Sequence, residues 1–165
     1  MTAKAPRPSY RALLRQPLHW LAFGGGAGLA PKGPGTAGSL VAVPIYYFLL
    51  SALAAPVYLL VVAALFLFGV WVCDRTERDL GVHDHSGIVW DEIVGQLVAY
   101  FMLPAGWLWL LAGFGLFRLF DIWKPFPISW LNAHVKGGWG IMLDDLAAGI
   151  AAAAILKGAA AFYGF

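Results

Sequence analysis

The sequence predicts an all-α protein: a polytopic membrane helical bundle of about four to five apolar helices, with its polar clusters on one face. Hydrophobic residues make up 61% of the chain and charged residues only 12%, whereas soluble domains carry about 25% charged residues. Uncharged runs cover residues 33–73 and 93–117, and a membrane helix needs roughly 20 apolar residues. This composition excludes a disordered chain and argues against a soluble domain.

The breaks within these runs set the order of the helices. Pro56 divides the first run, and the turn signal at residues 104–106 divides the second. Pro44 is expected to remove one backbone hydrogen bond from the first helix. The predicted helices lie near residues 39–55, 57–73, 88–103, 106–120 and 143–162.

Charge asymmetry predicts the orientation of the bundle. Residues 1–73 contain five basic residues and no acid, and two helical hairpins return the chain to the side of its N-terminus. The positive-inside rule assigns that side to the cytoplasm.

A basic segment, 1–18, is expected to be partly disordered or interfacial, and residues 19–165 are expected to form one helical membrane domain. The net charge of +2 gives no reason to expect nucleic-acid binding, and the single cysteine excludes an internal disulfide framework.

The first polar cluster is the Gly/Pro-rich stretch 24–39, which runs directly into an apolar helix. Glycine allows close backbone approach to a ligand, and Thr36 or Ser39 could cap the helix. A helix N-terminus suits a phosphate, and Lys32 adds a cation. Because a Gly-Lys-Ser/Thr triplet is missing, this is not a Walker loop. An ordinary helix entry turn is the alternative.

The second cluster, 81–95, places Asp91 and Glu92 at the start of an apolar helix. Acids are favoured in a first helical turn by the helix dipole, so a structural role is possible. Acids flanked by apolar residues at a membrane surface are nevertheless costly unless they are paired or metal-bound, which favours metal binding or catalysis. His83 and His85 could ligate a transition metal, although loop histidines more often face solvent.

The third cluster, 118–128, contains Arg118, Asp121 and Lys124 at spacings of three residues, which places them on one helix face. This pattern fits either a surface ion-pair ladder or a clamp for a lipid phosphate, set among aromatic residues at headgroup level.

The fourth cluster, 136–149, repeats the pattern of the second, because the acidic pair Asp144-Asp145 opens an apolar helix. Two such pairs predict a carboxylate cage, and Gly95 and Gly149 would allow the two helices to pack closely. Carboxylates with few nitrogen or sulfur ligands match Mg²⁺ or Mn²⁺. A metal site, cations and a phosphate loop on one membrane face together indicate phosphoryl chemistry on a lipid headgroup.

These four clusters, over residues 19–156, resemble phosphatidylglycerophosphatase A, a bacterial family that removes the terminal phosphate of phosphatidylglycerophosphate to give phosphatidylglycerol. The resemblance implies Mg²⁺ dependence, a lipid substrate and a multi-pass protein of the bacterial inner membrane whose site faces the cytoplasm. It gives no indication of protein partners.

The resemblance also points to individual residues, by position within the matched motifs. The expected catalytic residues are Asp84, Asp91 and Glu92 from these motifs, with His85 added as a neighbouring group that could activate water. The expected phosphate-binding residues are Gly35, Thr36, Ser39, Arg118 and Lys124 from the motifs, with Lys32 added because it is a cation beside the glycine-rich stretch. The expected metal ligands are Asp91, Glu92, Asp121, Asp144 and Asp145. Water activated by Asp84 or His85, or direct attack through a phosphoenzyme, are both compatible with the sequence.

Three other kinds of protein are the alternatives. Another lipid-headgroup phosphotransferase would also use acids and a metal at a membrane face, but the Asp-Gly…Ala-Arg signature of the CDP-alcohol class is absent. A histidine-type lipid phosphatase would need a Ser-Gly-His triplet, which is also absent. A small transporter would place ionisable residues along a path in mid-membrane, whereas here the long apolar runs carry no charge.

Overall fold

The computed structural model describes Ser9, Ala12, residues 15–82 and residues 85–164. All the regular secondary structure of these residues is helical, which confirms the all-α part of the predicted fold. The helices are α1 (Pro17–Ala22), α2 (Pro34–Ile45), α3 (Ala55–Leu80), α4 (Trp90–Ala99), α5 (Trp107–Trp123), α6 (Ile128–His134) and α7 (Gly137–Tyr163), with a 3₁₀ helix at Gly24–Leu29 and a π-helical turn at Tyr46–Leu50.

Two of these helices, α3 and α7, are long and apolar enough to cross a membrane. They contain 26 and 27 residues, or about 40 Å at 1.5 Å per residue. The continuous stretch Pro34–Leu50 is a shorter apolar helix, and α4 has only ten residues, about half the length of a span. Two candidate spans therefore support a membrane protein, while the number of four to five spans stays a prediction.

The first apolar helix begins and ends earlier than predicted. It starts at Pro34, whose missing N–H and fixed φ suit the first helical turn, after Gly33 in a left-handed conformation (φ 59°). Pro44 lies inside the helix, where it has no N–H to donate to the preceding turn. The regular α-helix ends at Ile45, and a π-helical turn follows at Tyr46–Leu50.

Both long helices extend beyond the uncharged runs from which they were predicted. Charged residues continue α3 for seven residues past Cys73, where Arg75 pairs with Asp79 at 3.2 Å and Arg78 with Asp74 at 2.7 Å. Pairs at i,i+4 stabilise a helix, so charged residues do not by themselves end one. Helix α7 begins at Gly137, six residues before the predicted start, and its added residues 137–142 are uncharged.

Helix α4 lies at the centre of the bundle, packed against α7, α2 and α3. Its apolar face is buried, and the Tyr58 hydroxyl of α3 donates a 2.6 Å hydrogen bond to the Leu97 carbonyl. A Cβ on Gly95 would lie 2.8 Å from the Asp145 carbonyl, and one on Gly149 would collide with the Gly95 carbonyl. These contacts confirm the predicted close approach of the two helices.

The antiparallel arrangement of α3 and α7 brings the polar clusters to one end of the bundle. Gly138, at the start of α7, contacts Val70 and Asp74 near the end of α3. The opposite end of α7 shares an apolar cavity with residues 58–62 at the start of α3. Most of the predicted N-terminal segment, 1–18, lies outside the described residues; α1 packs on α3, with His19 3.2 Å from Asp79.

Candidate active site

Three carboxylates from two helices converge at the polar end of the bundle. Asp91 and Glu92 lie in the first turn of α4, and Asp145 lies in α7 where the two helices touch. One oxygen atom from each carboxylate lies within 4.8 Å of the others, a spacing that could hold a metal ion. We call these residues the carboxylate trio; they are three of the five metal ligands predicted from the sequence.

The trio contains buried oxygens that no described protein group satisfies. Asp91 Oδ1, Glu92 Oε2 and Asp145 Oδ2 are each buried without a hydrogen-bond partner among the described residues. Burial raises the pKa of Asp91 well above its usual range, and burial together with the Asp145 carboxylate raises the pKa of Glu92 to about 8. Because clustered carboxylates resist ionisation without a neighbouring cation, the trio fits a hard divalent ion such as Mg²⁺.

Asp144, the neighbour of Asp145, has different partners. Its Oδ2 accepts hydrogen bonds from Lys124 Nζ at 2.5 Å and from Asn132 Nδ2 at 3.0 Å, and its Oδ1 accepts from the Asp145 N–H at 3.1 Å. Burial lowers the pKa of Lys124, but the hydrogen bond and charge of Asp144 outweigh that effect and raise it. Asp144 therefore holds Lys124 in place and stands outside the trio.

Arg118 lies between the trio and the start of α2. It forms an ion pair with Asp121 on the same helix, and its Nη1 donates to Ser39 Oγ at 3.4 Å. Ser39 Oγ in turn donates to the Gly35 carbonyl at 3.0 Å. A side chain at Gly35 would collide with Glu92 Oε1 and crowd Arg118, so glycine is what allows α2 to approach the acids.

A cavity of about 490 Å³ joins these groups. His85 lies in its wall, buried, with its ring centroid 5.5 Å from that of Phe23. Its Nδ1 accepts a 3.0 Å hydrogen bond from the Gly87 N–H, so a neutral His85 ring carries its proton on Nε2.

The structure brings together most of the residues predicted from the sequence, but not all. The cavity is lined by Gly35, His85, Asp91, Glu92, Arg118, Asp121, Lys124, Asp144 and Asp145. The residues Lys32, Thr36 and Ser39 do not line it, although Ser39 contacts Arg118. Lys32 is exposed, as expected for a residue at a helix entry turn. Asp84 and His83 lie outside the described residues.

Three polar residues of the cavity were given no role in the site predicted from the sequence: Ser86, Asn132 and Lys136. Asn132 lies on α6, a short helix that no apolar run in the sequence predicts. Its hydrogen bond to Asp144 depends on how the helices pack and not on sequence spacing. Lys136 directly precedes the Gly-Gly pair that opens α7, which is the one sequence signal that could have drawn attention to it.

Fold and site define a class of protein: a helical bundle with two membrane-length apolar helices and, at one end, a cavity lined by both carboxylates and cationic side chains. The chain belongs to the phosphatidylglycerophosphatase A family. A family model described as Phosphatidylglycerophosphatase A matches residues 20–160.

Similar proteins cover nearly the whole chain. A phosphatidylglycerophosphatase A of Escherichia coli is 48% identical over 147 residues, which are 88% of this chain and 85% of that protein. One of Haemophilus influenzae is 44% identical over 150 residues, with 90% and 92% coverage. A Bacteroides thetaiotaomicron protein, provisionally named a phosphatidylinositol-3-phosphatase, is 38% identical over 151 residues, with 87% and 90% coverage. No solved structure matches the chain.

Proposed function

We propose that the protein hydrolyses the terminal phosphomonoester of phosphatidylglycerophosphate, giving phosphatidylglycerol and inorganic phosphate in glycerophospholipid synthesis. The observation that carries this proposal is the carboxylate trio, which opens into a cation-lined cavity in a chain of this family. The two relatives that share 44–48% of their residues with the chain carry the name of that activity.

Mg²⁺ is the proposed cofactor, and Asp91, Glu92 and Asp145 are the residues that would hold it. The unsatisfied buried oxygens and the all-carboxylate donor set support this assignment. Bound there, the ion would supply Lewis-acid polarisation of the phosphoryl group. Asp121 and Asp144, the other predicted ligands, are engaged by Arg118 and Lys124, so their proposed role is to position those cations.

Arg118 and Lys124 are the proposed phosphate-binding residues. Both line the cavity, and an arginine fork matches the oxygens of a phosphate in a way that orients the group. Asp121 and Ser39 restrict the guanidinium of Arg118, and Asp144 restricts the ammonium of Lys124. Preorganised cations of this kind stabilise the charge that develops during phosphoryl transfer.

His85 is proposed to donate a hydrogen bond to the leaving glycerol oxygen. Since its Nδ1 already accepts the Gly87 N–H, the neutral ring carries its proton on Nε2 and acts as a hydrogen-bond donor. Water adds to phosphorus, the phosphorus–oxygen bond to glycerol breaks, and the proton that the water loses ends on the glycerol oxygen. Asp84 is the candidate for accepting that proton from the water and passing it on, or for direct attack.

The proposed setting is the bacterial inner membrane, with the cavity facing the cytoplasm. Helices α3 and α7 would span the bilayer, and the shorter apolar helices would complete a multi-pass bundle. The basic residues of the N-terminal segment, and Arg75 and Arg78 at the cavity end of α3, support this orientation by the positive-inside rule.

The experiment that tests the proposed function is phosphate release by the purified protein in detergent. The substrates are phosphatidylglycerophosphate, phosphatidate and phosphatidylinositol 3-phosphate, each with Mg²⁺ and with EDTA. We expect Mg²⁺-dependent release from phosphatidylglycerophosphate above the other two. Release from phosphatidylinositol 3-phosphate alone would reassign the substrate, and no release by a folded protein would overturn the proposed activity.

A further inference from the structure

Three cations line the cavity, and they differ in how their charges are matched. Arg118 pairs with Asp121, and its side chain is only 14% exposed. Lys124 pairs with Asp144 and is 30% exposed. Lys136 is exposed and forms no ion pair with any residue that the structure describes. The charge of Lys136 is therefore not neutralised by a described carboxylate, whereas the charges of Arg118 and Lys124 are.

The backbone that carries Lys136 is held tightly in place. A side chain at Gly140 would collide with the Val135 carbonyl, so the first turn of α7 lies directly against the residue before Lys136. A side chain at Gly138 would collide with the Val70 carbonyl of α3. Lys136 thus extends a flexible side chain from a fixed point on the cavity wall, which suits it to reach a ligand at a defined place.

The cavity has a deep end and a rim. The trio supplies buried oxygen atoms at the deep end, whereas Lys136 is exposed. Trp130 on α6 and Trp139 on α7 are each half exposed and lie on either side of Lys136 in the sequence. Exposed tryptophans are typical of the membrane–water interface, where lipid phosphates lie.

The proposed substrate has two phosphates in a fixed order. The phosphodiester is attached to the diacylglycerol and remains near the bilayer, and the terminal phosphomonoester lies one glycerol unit further away. We infer that Lys136 forms a second anion subsite, which binds the phosphodiester while the phosphomonoester occupies the deep end. This inference rests on the proposed function and extends it to headgroup selectivity, because phosphatidate has no phosphodiester for Lys136 to bind.

The test is a kinetic comparison of Lys136→Met with the wild-type protein in detergent micelles. Losing a charge-assisted hydrogen bond that is equal in the ground and transition states raises KM and leaves kcat unchanged. We expect KM for phosphatidylglycerophosphate to rise about tenfold, kcat to stay within about twofold, and the KM or inhibition constant of phosphatidate to be unaffected. Lys136→Arg should restore most of the affinity.

Lys157→Met is the matched control, since it removes a lysine from the opposite end of α7, where Lys157 lies 4.2 Å from the Phe101 ring centroid. Its KM should equal that of the wild type. An unchanged KM in folded Lys136→Met, or an equal rise for phosphatidate, would overturn the subsite while leaving the phosphatase activity intact. Absence of hydrolysis by the wild-type protein would instead reject the proposed function.

A second measurement does not depend on the folding of a variant. The Tm of the wild-type protein is compared in the presence of glycerol 1,3-bisphosphate and of glycerol 3-phosphate, at equal Mg²⁺. The two-phosphate compound should reach half of its maximal stabilisation at about one tenth of the concentration. Equal concentrations for both compounds would contradict a second anion subsite.

Discussion

Two acidic pairs that look alike in the sequence have different surroundings in the structure. Asp91-Glu92 opens α4, and both of its carboxylates join the trio. Asp144-Asp145 lies in α7 and divides: Asp145 joins the trio, while Asp144 binds Lys124 and Asn132. Successive side chains on a helix point about 100° apart, so a pair normally faces two directions. The role of each acid therefore depends on which helix it faces and which side chains it contacts there.

The largest expected effect comes from removing the α7 member of the trio. Asp145→Asn keeps the size of the side chain but takes away one proposed ligand charge. Since a metal ion contributes several kcal/mol to stabilising a phosphoryl-transfer transition state, kcat should fall about 1000-fold or more. Phosphate release from phosphatidylglycerophosphate measures this, with circular dichroism as the folding control. Retention of more than about a tenth of the activity would contradict the proposed metal-binding role of Asp145.

Asp144→Asn should have a smaller and different effect. The substitution weakens the contact that fixes Lys124, whose partner carboxylate is only 5% exposed. Positioning residues behind a proposed metal and phosphate site typically contribute 10- to 100-fold, so we expect a loss of that order in kcat/KM. The free energy of unfolding should also fall by about 1–3 kcal/mol because of the weakened buried hydrogen bonds. A loss as large as that of Asp145→Asn would show that the two acids act alike.

Gly149→Ala tests whether the contact between α4 and α7 assembles the trio. The new methyl group would meet the Gly95 carbonyl and push the helices apart. Overpacking of this kind costs about 1–3 kcal/mol. We expect a lower Tm and weaker Mg²⁺ binding, seen as a higher Mg²⁺ concentration for half-maximal activity. Gly158→Ala is the matched control on the same helix, since a Cβ there would contact no described atom. Equal Tm values for the two variants would contradict this account.

Ser39→Ala should have the smallest effect. Ser39 touches Arg118 through a long hydrogen bond of 3.4 Å and does not line the cavity. A hydrogen bond to a charged group contributes about 1.5–3 kcal/mol, and the length of this one places it at the lower end, so kcat/KM should fall by about tenfold at most. A loss above about 100-fold would return Ser39 to the direct phosphate-binding role predicted from the sequence.

The sequence was sufficient to predict the helical fold, the approximate positions of five apolar helices and the three acids that form the trio. Long uncharged apolar runs predict helices directly. Acids at the start of an apolar helix indicate a functional site, because burying an unpaired carboxylate costs free energy. The close contact of Gly95 and Gly149 followed from the same reasoning, because two like motifs on neighbouring helices need small residues between them.

The division between Asp144 and Asp145 could not be predicted, because it depends on which neighbouring helix each residue faces. Lys124 and Asn132 come from the end of α5 and from α6, and no spacing rule links either of them to Asp144. Lys32 and Thr36 were placed in the phosphate site because they accompany a glycine-rich turn. In the fold, only Gly33, Pro34 and Gly35 of that turn line the cavity.

The most direct test of the account is divalent-ion binding, measured by Mn²⁺ electron paramagnetic resonance on the purified protein and two variants. The trio predicts that Asp145→Asn loses high-affinity Mn²⁺ binding, whereas Asp144→Asn keeps an affinity within about tenfold of the wild type. Addition of Mg²⁺ should displace the Mn²⁺ from the wild-type protein. Equal loss of binding in both variants, or loss in Asp144→Asn alone, would contradict the assignment of the metal site to Asp91, Glu92 and Asp145.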